Sequence, residues 1–219
     1  MGPALRAVTD AAGGAGAGSE GPGFEGPGPG GSGPEPGPAS GPARRVVITG
    51  GPGSGKSTLI DRLQAAGFAR SYEAGRGVIQ DQRAVGGPGL PWQDPGLFAE
   101  LMLCWELRSY RGAPTGPGPA VFFDRGIPDI VGYLRVEGRP VPAHLDTAAR
   151  TFRYHPRVFI APPWPEIYRQ DTERRQSSAE AERTHAAMVE TYTGYGYELV
   201  ELPRASVVDR VRFVTARLG

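Results

Sequence analysis

A chain of 219 residues suits one domain of ordinary size, and its formal net charge of +1 gives no general pull towards nucleic acid or an acidic membrane surface. The single cysteine, Cys104, excludes an internal disulfide and suits a reducing compartment. No apolar run approaches the ~18 residues a membrane helix needs, and the N-terminal stretch has no apolar signal-peptide core, so a cytoplasmic location is expected.

Residues 1–43 differ in composition from the rest: Gly and Pro fill 22 of those 43 positions, with Phe24 the sole aromatic. Such a segment buries too little apolar surface to offset the entropy of ordering its backbone, so a disordered tail dispensable for catalysis is expected, followed by one folded domain over 44–219.

The folded unit opens with the β-branched run RRVVIT (Arg44–Thr49), a strand leading into a glycine-rich loop. Leu59, Ile60 and Leu63 then recur at helical spacing, with Gly67 as a stop. FARSYEA reads as a weak second strand. Asp94-Pro95 has the form of an N-cap with proline at the first helical position, and Leu97, Phe98, Leu101, Met102 and Trp105 form a stripe on the helix that follows. AVFFD (Ala120–Asp124) is a buried-type strand ending on a carboxylate, RVFIA (Arg157–Ala161) a fourth strand and YELVEL (Tyr197–Leu202) a fifth. A last helix begins after Ser206 and carries Val207, Val208, Val211, Val214 and Leu218. Alternating strands and helices predict an α/β sandwich with a mainly parallel sheet.

The loop GGPGSGKST, Gly50 to Thr58, fits the phosphate-binding pattern and lies between a predicted strand and a predicted helix, as that pattern requires. Its backbone, through Gly50, Gly51, Pro52, Gly53, Ser54 and Gly55, is expected to wrap phosphate oxygens with inward N–H groups, aided by the helix N-terminus. Lys56 is the only lysine; every other one of the 24 Lys and Arg positions is arginine. A compact ammonium can reach between β- and γ-phosphates where a planar guanidinium does not fit. Ser57 is the expected Mg²⁺ ligand, with Thr58 a neighbouring hydroxyl.

The loop resembles that of nucleotide kinases such as adenylate kinase. With YEAGR, FFDRGIPD and IYRQDTERRQS, the set resembles the small P-loop ATPases grouped with nicotinamide-riboside-kinase-like domains under the label AAA family ATPase. The resemblance runs from about Arg44 to the C-terminus. It implies a nucleotide-kinase-like P-loop NTPase fold, a three-layer sandwich on a five-stranded sheet, with ATP and Mg²⁺ as ligands.

Within P-loop proteins, two classes are excluded or disfavoured. A guanine-reading Asn- or Thr-Lys-x-Asp motif cannot occur, because the chain has no asparagine and no second lysine. A mechanochemical motor needs adjacent Asp-Glu at a strand end, whereas Asp124 is followed by Arg125. That Asp-Arg pair resembles small-molecule and nucleotide kinases, with Asp124 as metal support or proton acceptor and Arg125 holding the acceptor. Arg169, Arg174 and Arg175 resemble lid arginines; Arg174 and Arg175 would act on the transferring phosphoryl group and Arg169 on substrate. Ser177-x-x-Glu180 has capping-box form. Glu73 and Arg76 are candidate acceptor contacts. Asp129 could assist the metal, Trp164 could stack on a substrate ring, and Trp105 reads as core. Leu202–Ser206 resembles the segment along the adenine, and His144, His155 and His185 lack metal-ligand spacing. The expected activity is phosphoryl transfer from ATP to a nucleoside-like small molecule, with no nucleic acid or membrane partner. The alternatives are a slow ATPase switch acting on a protein partner and a scaffold without turnover.

Overall fold

The computed structural model describes residues 45–115, 118–165 and 178–218; the tail expected over 1–43 lies outside them. The described elements, in chain order, are β1 (Arg45–Gly50), α1 (Lys56–Ala65), β2 (Ala69–Ser71), α2 (Ala74–Val85), α3 (Pro95–Gly112), β3 (Val121–Asp124), α4 (Ile127–Val136), α5 (Ala143–Thr151), β4 (Arg157–Ala161), α6 (Ser178–Gly194), β5 (Glu198–Glu201) and α7 (Val207–Thr215). Among the described residues no helix is long and apolar enough to cross a membrane.

The five strands form one sheet in the order β2-β3-β1-β4-β5, and every neighbouring pair is parallel. Successive side chains point to opposite faces of a strand, so the sheet divides its apolar residues between two cores. Val46 and Ile48 of β1, Phe122 of β3 and Phe159 of β4 pack with Leu59, Ile60 and Leu63 of α1 and Val214 of α7. Val47, Phe123, Val158 and Ile160 face the other way, towards Phe98, Met102, Ile130, Leu145, Met188 and Tyr192 of the larger helical layer. This is the α/β three-layer sandwich that the element order predicts.

Three local departures matter for the site. The second strand stops at Ser71, and the chain turns into α2 at Ala74, leaving Glu73 as that helix's N-cap residue. Two glycines inside α2 cost helix propensity, each roughly 1 kcal/mol. They let α3 approach closely: a Cβ on Gly77 would lie 2.5 Å from the Trp105 ring, and Gly75 faces Phe98 and Met102. On α3 the Asp94 carboxylate caps the Leu97 N–H at 2.9 Å. The fully buried stripe runs through Phe98, Ala99, Met102, Leu103 and Glu106, with Leu97, Leu101 and Trp105 only partly covered. The buried face is therefore rotated from the sequence expectation and ends on a carboxylate.

Candidate phosphate-binding and transfer site

Because all strands run parallel, their carboxyl ends share one edge, and β1, β2 and β3 end there on Gly50, Ser71 and Asp124. Ligands of open α/β sheets bind at that edge. The loop after β1 is shaped by glycine: Gly50, Gly53 and Gly55 have φ of 127°, 69° and 75°. Gly50 is also pressed against the neighbouring strand, since a Cβ there would meet the Ala161 carbonyl at 2.4 Å. Gly51 backs onto α6, with the Ala181 carbonyl 2.8 Å from where its Cβ would be. No side chain caps α1 and no acidic residue sits in its first turn, so the positive end of the helix is presented to the loop.

Lys56 is 5% exposed, its Nζ donating to the Gly51 carbonyl at 2.6 Å and lying 3.4 Å from Ser54 Oγ. Ser54 Oγ in turn donates to Gly51 O at 2.8 Å. Ser57 Oγ is 3.4 Å from Asp124 Oδ2, and the second oxygen of that buried carboxylate has no hydrogen-bond partner among the described residues. Burial, and then the Glu73 charge, raise the Asp124 pKa, while Lys56 and Arg125 pull it back. The donor set of one serine hydroxyl and one orphaned carboxylate oxygen suits Mg²⁺, which takes few protein ligands and completes its shell with phosphate and water. Among the described residues no group of three or more His, Cys, Asp or Glu side chains could hold a metal ion.

Arg125 follows Asp124 with φ 73°, a left-handed conformation costing a non-glycine residue roughly 1–2 kcal/mol. The turn is held by its N–H on Ile48 O at 3.1 Å and by both ends of the guanidinium: Nε reaches Glu73 Oε1 at 3.1 Å and Nη1 reaches Asp129 Oδ1 at 3.0 Å. Burial opposes the Arg125 charge, but Glu73, Asp129 and Asp124 more than offset it, and its pKa lies above the ordinary arginine value.

The structure thus brings together Lys56, Ser57, Glu73, Asp124 and Arg125. Arg76, half-exposed, lies 3.8 Å from Glu73. Asp129 has a different task from the metal support expected of it, because donors occupy both its oxygens. Thr49 Oγ1 and Arg125 reach Oδ1; the Gly126 N–H and the Tyr192 hydroxyl reach Oδ2. It locks β1, the strand-end turn, α4 and α6 around Arg125. Arg169, Arg174, Arg175 and Ser177 lie outside the described residues, though α6 does open at Ser178.

Sequence reasoning missed Glu106. This side chain is 1% exposed, and burial, then Asp129, Asp124 and Glu73, push its pKa well above the carboxylate range. Its signal was positional: it stands four residues after Met102 and three after Leu103, on the buried face of α3. Trp164 is half-buried beside Arg210, and Trp105 packs on α2 as core.

The edge of the parallel sheet, the glycine loop and the Asp-Arg strand end define a P-loop domain of nucleotide-kinase-like architecture. The chain belongs to the family described as AAA domain, whose model matches residues 45–210. No curated protein matches. Among solved structures, the fold is similar to a deoxyadenosine kinase from M. mycoides with bound dATP: TM-score 0.55 and 14% identity over 80% of this chain and 98% of that one. It is also similar to NadR in complex with NR, with TM-score 0.56 and 17% identity over 80% of this chain and 50% of that one.

Proposed function

We propose that this domain transfers the γ-phosphoryl group of ATP, in a Mg²⁺-dependent reaction, to a small nucleoside-like acceptor. The observation carrying this reading is the Glu73–Arg125–Asp129 chain beside the loop, which orients a cationic fork next to the Ser57–Asp124 pair. A guanidinium held rigidly beside that pair is what fixing an acceptor in line with the phosphates requires. The similarity to a deoxyadenosine kinase supports a nucleoside-like acceptor.

The loop N–H groups and Lys56 would hold the β- and γ-phosphates. Ser57 and Asp124 would hold Mg²⁺, which would neutralise the charge that develops on the transferring phosphoryl group. Arg125 would fix the acceptor in line, with Glu73 and Arg76 on the same side, cutting the entropy of the encounter. A hydroxyl acceptor must lose its proton, and Asp124 is the carboxylate placed at the junction of loop and acceptor side to take it.

The test is ADP release with a panel of nucleosides and related small molecules, for wild type and Asp124→Asn, under Mg²⁺ titration. Release should need an acceptor, and the variant should lose transfer by ~10²–10⁴-fold while still binding ATP. Turnover at one rate with or without every acceptor would refute the proposal.

A further inference from the structure

The chain's charge is nearly balanced, 24 Lys and Arg against 23 Asp and Glu, but the fold does not spread it evenly. The amino ends of the strands form the edge opposite the phosphate loop, and the last turns of α3 and α7 reach it. Six arginines gather there: Arg45, Arg108, Arg111, Arg153, Arg157 and Arg217. The acid at the start of β5, Glu198, is held by Arg157 at 3.1 Å. Asp61, Asp146 and Glu190, on helices that end at this edge, already face Arg70, Arg150 and Arg135.

Arginine at a helix C-terminus complements the helix dipole, which accounts for two of the six. Arg45 donates to the Tyr110 carbonyl at 3.1 Å and Arg217 to the Phe213 carbonyl at 3.2 Å. It does not account for Arg108, Arg111 and Arg153, which are exposed and whose side chains form no hydrogen bond or ion pair among the described residues. The Arg111 guanidinium carbon is 5.3 Å from the centre of the Phe152 ring, and that of Arg153 is 4.0 Å from the centre of the Tyr197 ring. Both rings belong to one network: Tyr110 packs edge-on against Phe152 and Tyr154, and the Tyr197 hydroxyl accepts from the Tyr154 N–H. A guanidinium seated on a ring is positioned without using its N–H donors, and their fork matches phosphate oxygens.

Donors spread along an edge suit phosphate groups lying side by side. The rings beneath Arg111 and Arg153 are covered by those arginines, so they offer no bare face on which a base could stack. None of the large apolar side chains exposed among the described residues belongs to this edge, so nothing there wedges between bases. We infer that the amino edge of the sheet adsorbs to a membrane surface rich in anionic phospholipid, with Arg108, Arg111 and Arg153 donating to headgroup phosphates. The near-zero net charge hides this segregation. The phosphate loop, at the opposite edge, then faces away from the bilayer and stays open to solutes.

The test sediments the full chain with vesicles of phosphatidylcholine alone, or of phosphatidylcholine mixed with phosphatidylglycerol. Binding should need the anionic lipid and be lost at high salt, as the screening length shrinks from ~10 Å at 0.1 M to ~3 Å at 1 M. An arginine near such a surface contributes about fivefold, so Arg111→Gln with Arg153→Gln should weaken binding by roughly twentyfold and Arg108→Gln alone by about fivefold. The double variant should keep the wild-type melt; if it fails to fold, Arg108→Gln, which disturbs no ring contact, carries the test. Arg83 is the control, exposed on α2 and 5.2 Å from the centre of the Trp92 ring, a like contact on another element. Arg83→Gln should leave binding within about twofold. Equal loss in Arg83→Gln would reduce the effect to overall charge and overturn the inference. So would equal binding to neutral vesicles, or no binding to either. A short DNA duplex held more tightly than the vesicles by the same arginines would make nucleic acid the partner, and overturn it too.

Discussion

Replacing Asp129 with asparagine separates a structural carboxylate from a metal-supporting one. Four donors converge on it: Thr49 and Arg125 on one oxygen, the Gly126 N–H and Tyr192 on the other. Asparagine must turn an amide NH₂ towards one pair. A threonine or tyrosine hydroxyl can rotate to accept, but the Gly126 N–H and the Arg125 guanidinium only donate. One buried donor is therefore stranded in either orientation, at about 1–3 kcal/mol, and the charge-assisted bond to Arg125 is weakened by a similar amount. The sum is on the order of 2–6 kcal/mol, a large share of the ~5–15 kcal/mol a domain usually has. At about 2–4 °C per kcal/mol, Tm should fall by on the order of 10 °C. Urea unfolding followed by circular dichroism should show a lower midpoint with an unchanged slope. Transfer should also drop, and added Mg²⁺ should not restore it. A stability loss under about 1 kcal/mol, or rescue of activity by Mg²⁺, would refute the reasoning.

Lys56→Arg should abolish ATP binding and lower the melting temperature, since the buried ammonium fills a space between Gly51 O and Ser54 Oγ that a guanidinium cannot enter without displacing the loop; calorimetry showing wild-type affinity would sink the steric argument. Glu106 carries a raised pKa in the folded state from burial and from Asp129, Asp124 and Glu73, with Arg125 opposing. The folded protein thus keeps a proton that the unfolded chain releases near the ordinary carboxylate value, and stability falls as pH rises from there through the folded pKa. Glu106→Gln cannot ionise and should melt above wild type at alkaline pH, with a flatter Tm profile; parallel profiles would show that Glu106 does not hold the proton.

The elements legible in the sequence were those with clean local signals. β1 is a β-branched run ending in glycine, α3 has its Asp94-Pro95 start, and α7 begins at Ser206, whose Oγ accepts from the Asp209 N–H. α4 was hidden because nearly all of its surface is buried, from Ile127 to Leu134, so it shows no polar face and hence no 3.6-residue period. α2 was hidden by its glycines, which read as loop until Trp105 is seen packed on Gly77. At the site, Lys56, Ser57, Asp124 and Arg125 follow from chain order, because loop and strand end are fixed by neighbouring residues. The partners of Arg125 do not: Glu73 and Asp129 reach it from β2's end and α4, a meeting that only the tertiary fold creates. Glu106 and Arg210 were legible only as charges on helices until burial set them apart.

The position of β1 at the centre of the sheet has a consequence for how the domain is made. β1 is the first described strand to leave the ribosome, yet its two neighbours are β3, at Val121–Asp124, and β4, at Arg157–Ala161. Until synthesis has passed Ala161, Gly50 has no strand to press against. Parallel pairings across such sequence distances form late and slowly. A ribosome stalled before β4 would hold a chain whose Val46–Ile48 run lacks one of its two flanking strands, and exposed strand edges of this kind are prone to aggregation.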